Sequence, residues 1–429
     1  MVEACLVVGG GIAGIQAALD LADQGIKVFL VEKTPTIGGR MAQLDKTFPT
    51  LDCSMCILTP KMAEVKENPN ITLMTCAEVV DVQGFAGNFK IKVRKTPRYV
   101  DEEKCTGCGD CSRVCPVEVP NEFDMSLGTR KAIYIPFPQA VPSSYLVDEA
   151  SCVGIAPLTC GKCLDVCSPD AINLNRSLEE FQLDVGAIII ATGFNPDDPR
   201  KKEKYGYGVY SNVMTSLELE RLLSASGPTG GEVRRCSDKK APKRIAFIQC
   251  VCSRDVTTNF YCSRFCCMYA IKEGILVKEH TPDTECTVFY MDIRAFGKGF
   301  QEFFHRAKDE YGIRFIRSRP SKIEEDPETK NLFVVYEDTT TGVFRRMEVD
   351  LVVLAVGVLP SLTEMVIPIP IGDDKFINLK SPNLDPVSSG VEGIFIAGVS
   401  EGPKDIPDSV TQASAAAMRA SILIKGGRR

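Results

Sequence analysis

The feature that most restricts the fold is a glycine-rich turn between two apolar runs near the N-terminus. Gly9, Gly11 and Gly14 form a G-x-G-x-x-G pattern after the first run, and Glu32 follows the second, within residues 4–33. The first glycine permits a tight turn, the second lets backbone amides approach a pyrophosphate, and the third allows close helix-to-strand packing. A carboxylate at the second strand's end accepts the ribose hydroxyls of an adenosine. The segment therefore predicts a β-α-β unit that binds a dinucleotide.

Further glycine-containing segments fit the same frame. A Gly-Gly-Arg turn lies at 38–40, and apolar runs end in glycine at 188–193 and 393–398. A lone glycine turn would fit many α/β proteins, but together the segments resemble two-dinucleotide-binding-domain flavoproteins of the thioredoxin reductase type. That resemblance implies an α/β fold and bound FAD. The residues predicted to bind FAD are Gly9, Gly11, Gly14, Glu32, Lys33, Gly39, Arg40, Thr192, Gly193, Gly398, Gln412 and Ala413.

The C-terminal segment predicts a helix that points at this cofactor. Pro407, Asp408 and Ser409 are helix-start signals before an alanine-rich stretch. The positive end of the helix dipole would then stabilise negative charge on the reduced flavin, with Gln412 and Ala413 as candidate contacts. An ordinary capped helix on a sheet would explain the helix, but not its position after the strand that ends at 398.

The cysteine content indicates metal ligation or thiol chemistry. Nineteen cysteines occur without an N-terminal export signal, which favours a reducing cytoplasm, where structural disulfides are uncommon. Eight lie between 105 and 167 and five between 250 and 267. A net charge of -6 argues against a nucleic-acid partner, and no apolar run reaches the roughly 18 residues that span a bilayer, so direct membrane insertion is not expected.

The middle of the chain carries a bacterial ferredoxin pattern. Cys105, Cys108, Cys111 and Cys115 match C-x2-C-x2-C-x3-C, with proline following the last cysteine. In such modules the first three thiolates hold one [4Fe-4S] cluster, and the fourth holds the other. The predicted ligand sets are Cys105, Cys108, Cys111 and Cys167 for one cluster, and Cys115, Cys152, Cys160 and Cys163 for the second. A structural zinc site is the alternative considered.

The second nucleotide-binding region carries cysteines where its glycine turn should be. An apolar run at 244–248 leads into QCVCSRD, and YCSRFCCMYAIK follows. These segments, with TLDCSMCILTPKM and GPKDIPDSV, closely resemble the HdrA-type subunit of heterodisulfide reductase over nearly the whole chain. The resemblance implies a third [4Fe-4S] cluster held by Cys250, Cys262, Cys266 and Cys267. It also implies that Lys272 lies beside the flavin ring. Cys252 replaces the family's usual glycine and is interpreted as a bystander, with a rival ligand as the alternative.

Cys53 and Cys56 form a C-x-x-C after the Gly-Gly-Arg turn. Two interpretations stay open: a redox-active or cluster-approaching pair beside the flavin, or a buried packing element. Fuller forms of the family carry an N-terminal extension and a C-terminal ferredoxin module. Their absence from this sequence leads us to expect that another polypeptide supplies an electron route.

The predicted organisation is a split FAD domain with insertions. Its parts are an FAD-binding part at 1–98, an inserted ferredoxin domain at 99–178, a return strand and linker at 179–240, a second nucleotide-binding-like domain at 241–359, and a C-terminal FAD-binding part at 360–429.

The resemblance implies an electron-transfer protein with FAD and three [4Fe-4S] clusters, in which the flavin bifurcates or confurcates electrons within a larger complex. Its expected partners are subunits of the B and C type, a hydrogenase-, formate dehydrogenase- or NADH-oxidising-type subunit, ferredoxin and, in the complex, a second copy. One alternative is a non-bifurcating relay in a quinone-linked or acyl-CoA-reducing complex. The other is an NAD(P)H-dependent disulfide reductase, which the missing glycine turn disfavours.

Overall fold

The computed structural model describes residues 2–155, 159–361 and 366–426. The strands are β1 Ala4–Val8, β2 Lys27–Val31, β3 Ile71–Met74, β4 Ala77–Phe85, β5 Asn88–Lys95, β6 Glu118–Pro120, β7 Thr129–Lys131, β8 Ile133–Tyr134, β9 Leu146–Val147, β10 Glu179–Val185, β11 Ala187–Ile190, β12 Phe194–Pro196, β13 Val213–Thr215, β14 Arg244–Val251, β15 Glu285–Tyr290, β16 Arg314–Arg317, β17 Lys322–Glu325, β18 Leu332–Asp338, β19 Val343–Val349, β20 Leu351–Val356, β21 Val358–Pro360, β22 Leu379–Ser381, β23 Asp385–Ser389 and β24 Ile394–Ile396.

The helices alternate with these strands in the two large α/β layers. They are α1 Ile12–Asp23, α2 Ser54–Glu67, α3 Asp110–Val114, α4 Lys162–Asp165, α5 Ser216–Leu223, α6 Cys266–His280, α7 Phe300–Asp309 and α8 Ile406–Gly426. Short 3-10 turns occupy Gly39–Gln43, Pro199–Lys201, Glu203–Tyr205 and Gly398–Ser400. The predicted strand at Ala4–Val8 and the predicted C-terminal helix are both present.

The first large sheet joins distant parts of the chain. Its strand order is β22-β23-β24-β11-β1-β2-β3, and β1 pairs in parallel with both β11 and β2. Strands β1 and β11 are buried along their whole length, as expected for apolar strands covered on both faces. Helices α1, α2 and α8 contribute to the core on one face, and β4, β5 and β10 contribute to the core on the other.

Close packing of α1 against β1 explains one of the three motif glycines. A Cβ added to Gly14 would lie 1.8 Å from the Gly9 carbonyl oxygen, which leaves no room for a side chain. Gly9 itself has φ +107°, a conformation that L side chains rarely adopt. The helix therefore begins directly against the end of the strand, as the sequence predicts.

The second large sheet has the order β13-β20-β14-β15-β16, with all neighbours parallel. It includes β13, which lies upstream of the predicted boundary at 241. Helix α5 follows β13 directly and begins with a capping box, in which Thr215 and Glu218 exchange hydrogen bonds between side chain and backbone. The second α/β layer therefore includes one strand and one helix from residues 179–240, the segment predicted to be a return strand and linker.

The cysteine-rich insert has its own small core. Helices α3 and α4 pack together beside the hairpins β6-β7 and β8-β9. Tyr99, Ile133, Val147 and Ile172 are buried in this core, with cysteines packed against it. An antiparallel bridge between Val100 and Ile172 closes the base of the insert, near the ends predicted for the ferredoxin domain.

Candidate cofactor cavity and cysteine clusters

A cavity of about 780 Å³ opens at the carboxyl ends of β1 and β11 and reaches α5 and α6 of the second layer. Its volume is that of a site for a large organic ligand. The predicted residues that line it are Gly9, Gly11, Glu32, Lys33, Gly39, Arg40, Thr192, Gly193, Lys272 and Gly398. Residues that were predicted to bind FAD from separate segments of the chain therefore line one cavity.

The turn at the start of α1 fits a dinucleotide. Gly11 is the helix N-cap and has no side chain to bond the first amides of the helix, which leaves them for an anionic ligand. Glu32 accepts hydrogen bonds from the Gly10 amide at 2.6 Å and from the Thr34 amide at 2.8 Å. These bonds fix the carboxylate at the cavity wall, and its remaining lone pairs suit ribose hydroxyls.

Arg40 connects two walls of the cavity. Its guanidinium donates to the Phe194 carbonyl at 3.3 Å, to Gln43 at 2.8 Å and to Asn195 at 2.7 Å. Burial lowers the pKa of Arg40 from its ordinary value. The predicted FAD-binding arginine therefore holds β12 against the turn that follows β2.

Lys272 lies in a buried group of charges at the wall that α5 and α6 form. Its Nζ donates to the Lys46 carbonyl at 2.9 Å and pairs with Glu220, and both charged side chains are almost fully buried. Glu220 also accepts a hydrogen bond from the Asp45 amide at 3.0 Å. The lysine that the family resemblance picked out is thus fixed at the cavity by a carboxylate and a carbonyl.

A second carboxylate stands beside this pair. Glu273 is 1% exposed and lines the cavity, and its Oε2 has no hydrogen-bond partner. Burial, followed by the charge of Glu220, raises the pKa of Glu273 well above its ordinary value, which favours the protonated form. The sequence motifs did not single out either glutamate. Glu220 reaches Lys272 only through the fold, whereas Glu273 directly follows Lys272 in the chain, and that position was the available signal.

The start of α8 faces the cavity, but the two residues predicted there as flavin contacts do not line it. Ile406, Pro407 and Ser409 contribute to the wall. Ala413 is instead fully buried in the core, and Gln412 donates to the Pro386 carbonyl at 2.9 Å. The first turn of α8, rather than the second, therefore forms the surface there, because the helix axis carries later residues away from the opening.

Lys404 is a buried cation that the sequence motifs did not single out. Its Nζ donates to the Gly398 carbonyl at 2.7 Å and pairs with Glu401. Burial lowers the pKa of Lys404 from its ordinary value. A lysine in the GPKDIPDSV segment that precedes α8 was the available signal.

The structure brings the four thiols predicted for one insert cluster together. Cys115, Cys152, Cys160 and Cys163 line one small cavity between the hairpins and α4. Burial, and then the neighbouring thiols, raise the pKa of Cys163 to about 11. Iron bound to these sulfurs would favour the thiolate form, so the donor set fits a [4Fe-4S] cluster.

The cysteines predicted to hold the other insert cluster are partly grouped. Cys105 and Cys108 lie close enough to Cys111 to raise its pKa, which burial brings to about 12. Cys167 packs against the same small core and accepts a hydrogen bond from the Ala171 amide at 3.3 Å. Among described residues, no group of three or more His, Cys, Asp or Glu is arranged to hold a single metal ion.

The cysteines after β14 form a third group at the mouth of α6. A hydrogen bond from the Cys266 thiol lowers the pKa of Cys250 to about 7, and Cys267 also bonds to Cys266. Cys262 accepts from the Arg264 amide at 3.3 Å, and the charge of Arg254 attracts both Cys250 and Cys262. This donor set, with a cation beside it, fits an anionic iron–sulfur cluster.

Local backbone geometry makes this grouping feasible. Cys250 has φ +59° at the end of β14, which turns the chain sharply out of the strand. Cys266 and Cys267 are the first two residues of α6, where successive side chains diverge by about 100°. Cys252 lies elsewhere, in the core beneath β20, with its Sγ 3.6 Å from the Asp198 carbonyl oxygen.

Cys53 and Cys56 form a disulfide at the start of α2. Both residues are exposed, so the interpretation of this pair as a buried packing element is wrong. Neither belongs to the cavity lining, which runs through Lys46, Thr47 and Phe48 instead.

Comparison with known proteins agrees with this arrangement. Residues 4–50 match the family of FAD dependent oxidoreductases, and residues 98–121 match the 4Fe-4S binding domain. Over 99% of its length the chain is 57% identical to a CoB–CoM heterodisulfide reductase iron-sulfur subunit of the A type from Methanopyrus kandleri. It is 55% identical over the same share to the corresponding subunit of Methanocaldococcus jannaschii. Over the region that they share, this chain is homologous to the HdrA-type subunits of heterodisulfide reductase.

These comparisons establish FAD and [4Fe-4S] clusters as cofactors of this HdrA homologue. The chain spans 65% of the length of the two curated relatives. Its fold is similar to thioredoxin reductases of T. acidophilum and Lactococcus lactis, with TM-scores of 0.54 and 0.55 at 14% and 16% identity. The first similarity covers 99% of this chain and 98% of the other, and the second covers 99% and 100%. No described helix has the length and apolarity needed to cross a membrane.

Proposed function

We propose that this HdrA homologue transfers electrons between FAD in the cavity and iron–sulfur clusters, as part of a heterodisulfide reductase complex. One observation carries the proposal: helix α6 serves both sites. Phe265 and Tyr269 line the cavity, while Cys266 and Cys267, between them in sequence, belong to the third cysteine group. A cluster held there would lie one helical turn from the cavity wall.

The residues that line the cavity would hold FAD by its dinucleotide part and position its ring. The α1 turn would bind the pyrophosphate and Glu32 the ribose, while Lys272 presents a fixed positive charge. When bound, FAD supplies a carrier that accepts two electrons and releases them singly, whereas each cluster carries one. The protein contributes position and electrostatics.

Water exclusion is the second contribution of the chain. Phe194 and Phe265 contact each other with ring centroids 5.6 Å apart, and both line the cavity. Tyr269 is packed behind Phe265 and donates its hydroxyl to the Val356 carbonyl at 3.2 Å. These rings give the cavity wall beside Cys266 an apolar surface.

We further propose that the flavin is a branch point between two electron routes. The third cysteine group provides one route at α6, and the ferredoxin-like insert provides another. A curated relative at 53% identity, from Methanothermobacter marburgensis, belongs to an enzyme named "H(2):CoB-CoM heterodisulfide,ferredoxin reductase", which pairs a heterodisulfide with ferredoxin. Bifurcation or confurcation would use both routes, and a simple relay would need only one.

The partners we propose are subunits of the B and C type, ferredoxin and an electron-input subunit of the hydrogenase, formate dehydrogenase or NADH-oxidising type. A second copy of this chain is also compatible with such a complex. The relatives' names support a complex that includes ferredoxin.

The proposal is tested by anaerobic purification of the native complex with determination of flavin, iron and acid-labile sulfide per chain. Three clusters predict about 12 iron atoms and as many sulfides, with one FAD. Copurifying subunits identify the partners. Zinc in place of iron, or fewer than about eight irons per chain, would contradict the cluster assignment.

A further inference from the structure

The exposed pair Cys53–Cys56 has chemistry that electron transfer through FAD and clusters does not use. The two residues form a disulfide with a Cα–Cα distance of 5.3 Å, and both are exposed. The other seventeen cysteines form no disulfide, and many of them are buried or grouped in the cluster regions. A surface disulfide of this spacing is open to attack by an external thiol.

The environment of the pair distinguishes its two sulfurs. Cys53 is the N-cap of α2, and its Sγ accepts a hydrogen bond from the Cys56 amide at 3.2 Å. A helix N-terminus stabilises negative charge, and cysteines at this position in C-x-x-C motifs have lowered thiol pKa values. In the reduced pair, Cys53 is therefore the better nucleophile, and Cys56 the resolving thiol.

The pair is close to the flavin cavity, but does not open into it. An isolated antiparallel bridge joins Cys53 to Lys46, whose carbonyl accepts from Lys272. The Ser54 amide donates to the Asp45 carbonyl at 3.0 Å, which fixes the same segment. One backbone segment thus separates the disulfide from the cavity, so its reaction partner must come from solvent.

We propose that Cys53–Cys56 is a thiol–disulfide exchange site for an external dithiol, a role that goes beyond the proposed electron transfer. A thiolate of the dithiol attacks Cys53 Sγ, the Cys53–Cys56 bond breaks, and Cys56 leaves as a thiolate that takes a proton. The second thiol of the partner, as its thiolate, then attacks the mixed disulfide and releases Cys53, which also takes a proton. The partner becomes a disulfide, and the chain gains two electrons and two protons.

The reverse direction gives a direct test with glutathione disulfide as the probe. Three prereduced, cofactor-loaded proteins are treated anaerobically with glutathione disulfide: wild type, Cys56→Ser and Cys53→Ser. Modified peptides are then quantified by mass spectrometry. We expect Cys56→Ser to accumulate a mixed disulfide at Cys53 at least about tenfold faster than Cys53→Ser does at Cys56. The wild type should reform its internal disulfide without accumulating the adduct.

Buried Cys286, 3% exposed, serves as the internal control and should stay unmodified. Equal and slow modification of both single variants, or iron or zinc held by the wild-type pair, would overturn the proposal. Iron content and flavin content are measured on the same samples. The exchange requires neither cofactor. Loss of exchange in a chain with full iron and flavin content therefore counts against this proposal alone, and exchange that persists in a chain lacking iron or flavin counts against electron transfer alone.

Discussion

At the scale of single residues, the cavity depends on a small group of charges that the protein has buried. Lys272 and Glu220 are 1% and 2% exposed, and Glu273 adds a second carboxylate. Taking charges out of water is costly unless each finds a partner. The charge of Lys272 is paired with that of Glu220, and the raised pKa of Glu273 favours its neutral form, so each member is sensitive to substitution.

Removing the lysine should destabilise the chain strongly. In Lys272→Met, Glu220 becomes an uncompensated buried charge, so we expect a loss of about 3–5 kcal/mol in the free energy of unfolding. Denaturant titration of the cofactor-loaded protein measures this loss. Lys131→Met is the control, because its partner Glu118 is 59% exposed, and surface pairs contribute about 1 kcal/mol or less. Similar losses in the two variants would contradict the buried pairing.

The raised pKa of Glu273 predicts that the free energy of unfolding depends on pH. Its pKa is raised in the folded chain, whereas an unfolded glutamate titrates near about 4.3. Stability from this group is complete below the unfolded pKa and is lost as pH rises toward the folded pKa. Glutamine does not titrate, so Glu273→Gln should gain stability relative to wild type as pH rises from about 4.3 toward neutral. Denaturant midpoints across this range measure it, and a constant difference would rule out the assignment.

At the scale of elements, two helix starts define the sites. Helix α1 begins against the glycine turn after β1, and α6 begins with two cysteines after β14. The two strands each lie between parallel neighbours in their sheets, but one leads into glycines and the other into cysteines. A flavin-binding unit and a nicotinamide-binding unit would both have the glycine turn. Cysteines in place of that turn after β14 therefore indicate cluster binding in the second unit.

Gly14 tests the first helix start. In Gly14→Ala the new methyl group would meet the Gly9 carbonyl oxygen at 1.8 Å, so α1 must shift away from β1. We expect a loss of about 3 kcal/mol or more in the free energy of unfolding, together with loss of FAD from the purified protein. The matched control is Gly402→Ala, where nothing lies within 4 Å of the added Cβ. Retention of FAD by Gly14→Ala would contradict the close packing.

The second helix start is tested by two nearby cysteines. Cys262→Ser should remove one cluster, or about four irons per chain, whereas Cys252→Ala should leave iron unchanged because its side chain lies in the core beneath β20. Iron and sulfide analysis of anaerobically purified variants measures both. Iron loss in Cys252→Ala alone would instead identify it as the ligand.

At the scale of the whole molecule, the sequence predicted the individual elements better than the contacts between them. The α1 turn, β14, α8 and the cysteine groups follow from local patterns of glycine, apolar and cysteine residues. Glu220 was missed because it reaches Lys272 only when α5 packs beside α6, and Glu273 was missed because its burial at the cavity wall is not visible in the sequence. Gln412 and Ala413, predicted as flavin contacts from the start signals of α8, lie outside the cavity lining, since a start signal does not determine where a helix leaves a cavity.

The central claim is that electrons enter and leave this flavin through clusters. Anaerobic stopped-flow reduction of the purified complex, with NADPH, NADH or a reduced ferredoxin as donor, tests it most directly when wild type and Cys262→Ser are compared. We predict that reduced ferredoxin reduces the wild-type flavin. Cys262→Ser removes the route at α6 and leaves the insert, so either flavin reduction or flavin reoxidation should slow at least about tenfold, with the control Cys252→Ala unchanged. Direct and rapid reduction by NADPH in both wild type and Cys262→Ser would contradict the account.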